Sequence, residues 1–181
     1  MSDGYDVARI SRQLSFINVM TYDLHGSWDS RADHHAPLHR RDHDDWPTLT
    51  TVDNIYWISR YPYAGLDITF IHLFQDSGIS LWHQQGAPLE KLLLGTPFYG
   101  RSFTLTGRGT EPGAPSSGAG GEPGQFTEEA GFLAYLEICQ LLQEGGWTQT
   151  EDSDGNPYIY KVDNIHTHAL HYATTQYLIS N

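Results

Sequence analysis

The apolar run Phe16-Ile17-Asn18-Val19-Met20 breaks off in Thr21, Tyr22 and Asp23. A strand that only fills a core keeps its polar positions alternating along its length, whereas one that stops in a polar cluster delivers side chains to a site. The pattern predicts a strand over Leu14–Met20, preceded by a short helix or turn from Asp6 to Gln13. From His25-Gly26 to Asp45 the chain is polar, rich in His and Asp and without a period, as a loop is. Thr51 to Asn54 resembles the start of a helix, and Ile55 to Ile79 matches neither period. Ser80 to Gln85 reads as helix, closed by Gly86 with Pro88 just beyond. The run Leu92-Leu93-Leu94 follows as a buried strand ending at Gly95 and Pro97. Helix, short loop and apolar strand form the unit of parallel α/β folds.

Further on, Gly107 to Gln125 has the Gly, Pro and Ser content of a linker or a long surface loop. Thr127 is placed to cap a helix, with Glu128 and Glu129 in its first turn. Phe132, Leu136 and Cys139 would share one face of it, and Gly145-Gly146 would end it. Asp152 to Pro157 is a turn cluster, and Pro157 to Val162 reads as a strand. From Asp163 to Asn181 no pattern is evident.

Composition narrows the function classes. Ten Lys and Arg stand against 22 Asp and Glu, a formal net charge of -12, and a field of that sign repels phosphate backbones and anionic lipid surfaces. Neither nucleic acid nor a membrane is expected as partner. No apolar run reaches bilayer length, and MSDGYDVARI lacks the basic start and apolar centre of a signal peptide. Cys139 is the only cysteine, so neither an internal disulfide nor a cysteine-based zinc cluster is available. Aromatic residues make up 13% of the chain, which suits the stacking platforms of a carbohydrate cleft as well as a core.

Several ordered motifs resemble one family, the family 18 glycoside hydrolases (chitinases and chitinase-like proteins). YDVARISRQLSFINVMTYDLHGSWD is similar to the family's sixth barrel strand with its Met-x-Tyr-Asp motif, here Met20 to Asp23. GAPLEKLLLGTPFYGRSFTL is similar to the seventh strand, and GAPSSGAGG, FTEEAGFLAYLEIC and PYIYK follow the family's insertion domain in order. The resemblance implies an α/β fold: the C-terminal part of a (β/α)8 barrel with an incomplete α+β insertion domain, its site at the C-terminal ends of the strands. It places the partial barrel at 1–105, with an atypical insert at 55–79, the insertion domain at 106–161 and a divergent tail at 162–181.

In this family an acid glutamate protonates the glycosidic oxygen while the substrate's own N-acetyl carbonyl attacks the anomeric carbon. By resemblance, Tyr22 would hydrogen-bond that carbonyl and Asp23 would favour the cationic intermediate, both in supporting catalytic roles. Met20 would form apolar floor, Trp28 would stack on a sugar, and Tyr99 and Arg101 would line the cleft. The expected ligand is chitin or N-acetylglucosamine oligomers, bound by a monomer without metal or cofactor. The family is extracellular. The partner of Cys139 would lie in a C-terminal part that this sequence does not show.

The family's Asp-x-x-Asp-x-Asp-x-Glu motif occurs nowhere in the sequence, so the chain lacks the acid glutamate. Asp42, Asp44 and Asp45 fall at the wrong spacing and read as solvated loop carboxylates. The eighth strand with its tryptophan is also missing after PYIYK, and 181 residues fall short of the ~250 of a closed barrel. The expected function is therefore that of a chitinase domain fragment, with a non-hydrolytic lectin or an inactive truncated product as alternatives. His34, His35 and His39, and His166, His168 and His171, have metal-like spacing without a positioned acidic partner, and no metal is expected. Sharp loss of motif resemblance across Ile55–Ile79 and after Lys161, with intact flanks, predicts that both stretches are intervening genomic sequence. Mature transcripts sequenced across the locus are expected to lack both, and finding both in message would refute the idea.

Overall fold

The computed structural model describes residues 5–38, 75–163 and 167–172, with backbone alone at 76, 77 and 167. The expected helix start at Thr51, the carboxylates at 42, 44 and 45, and most of Ile55–Ile79 lie outside these residues. The chain forms two compact units. Of the described residues, the first holds 5–21, 38 and 75–95, and the second holds 22–37, 96–163 and 167–172.

The first unit is a piece of parallel α/β structure. Helix α1 (Val7–Gln13) starts at Asp6, whose side chain accepts from Arg9 N at 3.0 Å, as an N-cap carboxylate does. Its C-terminal end is held by Lys91 Nζ, which donates to Ser11 O at 2.7 Å and Leu14 O at 2.9 Å. Strand β1 (Ile17–Val19) pairs in parallel with β2 (Leu92–Leu94), Ile17 opposite Leu92 and Val19 opposite Leu94. Among the described residues between them in sequence are helix α2 (Gln75–Gln84) and a 3-10 turn (Leu89–Lys91). Val7, Ile17, Val19 and Ala87 form the core, with Ile79, Trp82 and Leu92 packed on it. Helix α2 begins earlier than Ser80, and Gly86 leaves it at φ 101°, a left-handed exit that glycine takes without a Cβ clash.

Among the described residues, the second unit is an antiparallel sheet with one helix. Its strands are β3 (Tyr99–Leu105), β4 (Ser116–Gly120), β5 (Phe132–Ala134), β6 (Thr148–Glu151), β7 (Pro157–Val162) and β8 (Thr167–Tyr172). They run in the order β4-β3-β8-β7-β6, and β5 shares the β4 edge of β3. Helix α3 (Tyr135–Glu144) covers one face through Ile138, packing with Leu133, Ile159, Leu170 and Tyr172. The opposite face holds Phe103, Leu105 and Ala169 under Ala32 and Ala114.

Three expectations change. The Gly-rich stretch is not a linker, since Ser116–Gly120 is a strand on β3. Gly120 is needed there because a Cβ would run into the backbone of Gly131. The helix does not begin after Thr127: Phe132 is in β5, and Thr127 Oγ1 donates to Phe132 O at 3.2 Å. The buried face of α3 therefore carries Ile138, while Leu136 is 60% exposed and Cys139 is half-buried. Finally, the patternless tail supplies β8, the strand between β3 and β7. It shows no alternation because both faces are covered: the successive residues Ala169, Leu170, His171 and Tyr172 are all buried.

The loop before β5 is organised by one buried carboxylate. Glu137 accepts from Phe126 N at 2.7 Å and Thr127 N at 3.1 Å through one oxygen, and from Ala134 N at 2.8 Å through the other. Burial opposes ionisation, but these backbone donors outweigh it and hold the carboxyl below its ordinary range. Glu137→Gln replaces an acceptor oxygen with a donor facing an N–H, so it is expected to cost about 1–3 kcal/mol. Urea midpoints of the two proteins measure this.

Candidate functional site

Tyr22 and Asp23 open the loop that follows β1, and Tyr99 and Arg101 stand on alternate positions of β3, so that both project from the same face of the strand. The structure brings the two segments together. Arg101 donates to Asp23 Oδ1 from Nε at 2.9 Å and Nη2 at 2.8 Å. Asp23 sits at φ 59°, a left-handed conformation in which aspartate is tolerated and which marks a constrained site. The Arg101 side chain is 16% exposed and that of Asp23 is 37% exposed, so the pair has one face open to solvent.

Aromatic rings surround the guanidinium. Its carbon lies 5.2 Å from the Trp28 ring centroid, 5.5 Å from Tyr99 and 5.3 Å from Phe132, within the range of cation–π attraction. Tyr22 meets Tyr99 edge-on at 6.3 Å, and Tyr99 meets Phe132 at 4.7 Å. Phe132, assigned to a helix face by its spacing, enters the site because β5 pairs with β3 and sets it opposite Arg101.

Protonation follows from these contacts. Burial raises the Asp23 pKa, but hydrogen bonds from Tyr99 and Arg101, together with the Arg101 charge, outweigh it and leave the carboxyl at about 2. The Tyr99 phenol is pushed up by burial and by the hydrogen bond and charge of Asp23, so it remains a neutral donor.

The loop itself is tied down by polar contacts. Asp29 Oδ2 accepts from Gly26 N at 3.1 Å and from His25 Nδ1 at 3.2 Å, closing the turn that presents Trp28, which is 48% exposed. The indole lies close over Gly26, where a Cβ would displace it. Residues 30–32 run antiparallel to 113–116, with Ala32 N donating to Ala114 O and Gly113 N to Ala32 O, both at 2.8 Å. His34 Nε2 lies 3.2 Å from Asp152 Oδ2, and its Nδ1 lies 3.3 Å from His171 Nδ1. Burial opposes ionisation of Asp152, yet hydrogen bonds from His34 and Asn156 hold its carboxyl well below the usual range.

Five of the six expected site residues thus stand in one unit. Met20 belongs to the other, at the end of β1, where its side chain is 74% exposed. Of the histidine triplets, His39 and His166 lie outside the described residues. Among the described residues no group of three His, Cys, Asp or Glu could hold a metal. No helix among them is long and apolar enough to cross a membrane.

The model of "Glycosyl hydrolases family 18" matches residues 1–178. The chain belongs to this family. The match runs past Lys161, where the motifs that can be read by eye end. An "Endochitinase" of Manduca sexta is 36% identical over 168 residues, 89% of this chain and 26% of the relative. Human "Chitinase-3-like protein 2" is 34% identical over 163 residues, 89% of this chain and 36% of the relative. A solved Group IV chitinase of Ostrinia furnacalis superposes with a TM-score of 0.72 at 31% identity, covering 94% of this chain and 40% of that one. Human YKL-39, described as a pseudo-chitinase with retained chitooligosaccharide binding, gives a TM-score of 0.72 at 32% identity, covering 94% and 40%. The fold is that of an incomplete α/β barrel of family 18 type, and the chain spans well under half the length of these relatives.

Because the folded pKa of Asp23 is lowered, its ionised form favours the folded state. That contribution is fully present above the ordinary value of 3.8 and is lost as pH falls from there through about 2. The stability difference between wild type and Asp23→Asn is therefore expected to shrink across that window and to be flat above it. Thermal unfolding of both proteins from pH 2 to 6 measures it.

Proposed function

We propose that the second unit carries the part of a chitin-binding cleft that grips the N-acetyl arm of one sugar, and that in a complete domain this grip serves substrate-assisted hydrolysis of β-1,4 linkages. The observation that supports this reading most is the Asp23–Arg101 pair, set among the rings of Trp28, Tyr99 and Phe132. Sugars present C–H faces that stack on aromatic rings and hydroxyl and amide edges that need oriented donors and acceptors. Both are supplied here within a few ångströms. Tyr22 would donate to the acetamido carbonyl, and Asp23 would stabilise the cationic ring that forms when that carbonyl attacks. Such a protein would act as a monomer, outside the cell, without a cofactor.

The sequence contains no Asp-x-x-Asp-x-Asp-x-Glu motif, so this chain is expected to bind without turnover. The same absence favours a second reading, a chitinase-like lectin, and the two diverge on whether the parent sequence supplies the glutamate. An inactive truncated product is the third outcome, signalled by failure to bind.

Titration of the 181-residue chain with the N-acetylglucosamine tetramer tests the proposal. Saturable binding is expected, weakened ~10-fold or more by Trp28→Ala and by Arg101→Ala, in keeping with loss of a stacking face or of charged hydrogen bonds. Equal affinity in both variants would remove the site from the reading. In a domain that contains the acid glutamate, Tyr22→Phe is expected to lower turnover by orders of magnitude.

A further inference from the structure

His35 was no part of the expected site, yet its side chain is 1% exposed and its contacts join the two segments that build the site. Its Nδ1 lies 3.4 Å from Asp23 N and 3.6 Å from Asp23 Oδ1. Its Nε2 lies 3.2 Å from the carbonyl oxygen of Tyr99, and its ring stacks on the Tyr99 ring at 5.0 Å and 28°. Its own carbonyl accepts from Leu24 N at 2.9 Å.

These partners dictate a tautomer. A carbonyl can only accept, so Nε2 carries the proton, and a backbone N–H can only donate, so Nδ1 presents its lone pair to Asp23. The neutral ring therefore acts as a rigid strut: a donor on one side to β3, and an acceptor on the other to the amide of a residue held at φ 59°. That amide is where the chain must turn to aim the Asp23 carboxylate at Arg101. A protonated ring would set N–H against N–H at Asp23 and would compete with Arg101 for Oδ1.

We propose that His35 is the positioning residue of the carbohydrate site, holding Asp23 in its left-handed conformation against Tyr99 so that the carboxylate meets Arg101 and the sugar amide. This rests on the chitooligosaccharide reading above, but the contact that carries it is independent of any ligand.

The test uses the full chain with His35→Asn, His35→Gln and His35→Ala. Affinity for the N-acetylglucosamine tetramer is measured by calorimetry, and hydrogen exchange of the Asp23 amide by NMR. Asparagine can place an acceptor oxygen near the position of Nδ1, so His35→Asn is expected to keep affinity within ~3-fold and the Asp23 amide protected. Glutamine reaches toward Tyr99 but leaves the amide without its acceptor, so His35→Gln is expected to lose ~10-fold and to expose that amide, as alanine does. A purely space-filling role predicts the reverse order, because glutamine is nearer in size to histidine. Glutamine outperforming asparagine, or all variants matching wild type, would overturn the proposal. If wild type fails to bind the tetramer, the carbohydrate reading falls, whereas the exchange series still decides the strut: an Asp23 amide as protected in His35→Gln as in wild type refutes it. Should His35→Ala fail to fold, the asparagine and glutamine pair suffices.

Discussion

The second unit is organised around a carboxylate and a guanidinium 2.8 Å apart that come from positions 78 residues apart in sequence. An exposed pair of this kind contributes little by itself, because fixing two long side chains offsets most of the Coulomb gain. Here the planar guanidinium is already confined by three aromatic faces, so less freedom remains to be lost when it meets Asp23. The backbone accepts a left-handed residue at Asp23 because the surroundings over-determine it.

That over-determination has an identifiable source. The loop from Tyr22 to Pro37 buries few apolar side chains, Ala32 among them, and is instead tied by edge hydrogen bonds to 113–116, by the His25–Asp29 turn, and by His34 facing Asp152 and His171. A segment dense in histidine and aspartate without periodicity reads as solvated loop. It is in fact tied to the sheet, with polar groups paired inward. Buried polar networks of this type define one geometry when every member is satisfied.

This explains what the sequence could disclose. The β1 and β2 runs, α1 and the β6–β7 turn were legible because local pattern marks them, and a motif singled out Tyr22, Asp23, Tyr99 and Arg101, which the fold brings together. Phe132 was not, since its spacing with Leu136 and Cys139 imitates a helix face and only pairing with β3 turns it toward Arg101. His35 was not, since nothing local separates a strut from a solvated histidine. The true start of α3 was hidden because Glu137, three residues inside the helix and not a residue ahead of it, supplies the cap. Ser116–Gly120 was hidden because glycine there serves close backbone approach, which in composition looks the same as flexibility.

The placement of β8 reaches beyond topology. Thr167–Tyr172 is hydrogen-bonded along both its edges, to β3 and to β7, and it lends Ala169 to one core cluster and Leu170 and Tyr172 to the other. Removing an outer strand would fray a margin. Losing this one would split the sheet down its middle, parting the half that bears Arg101 from the half that bears Asp152, so the loop from Tyr22 to Pro37 would lose an anchor although its own residues were untouched.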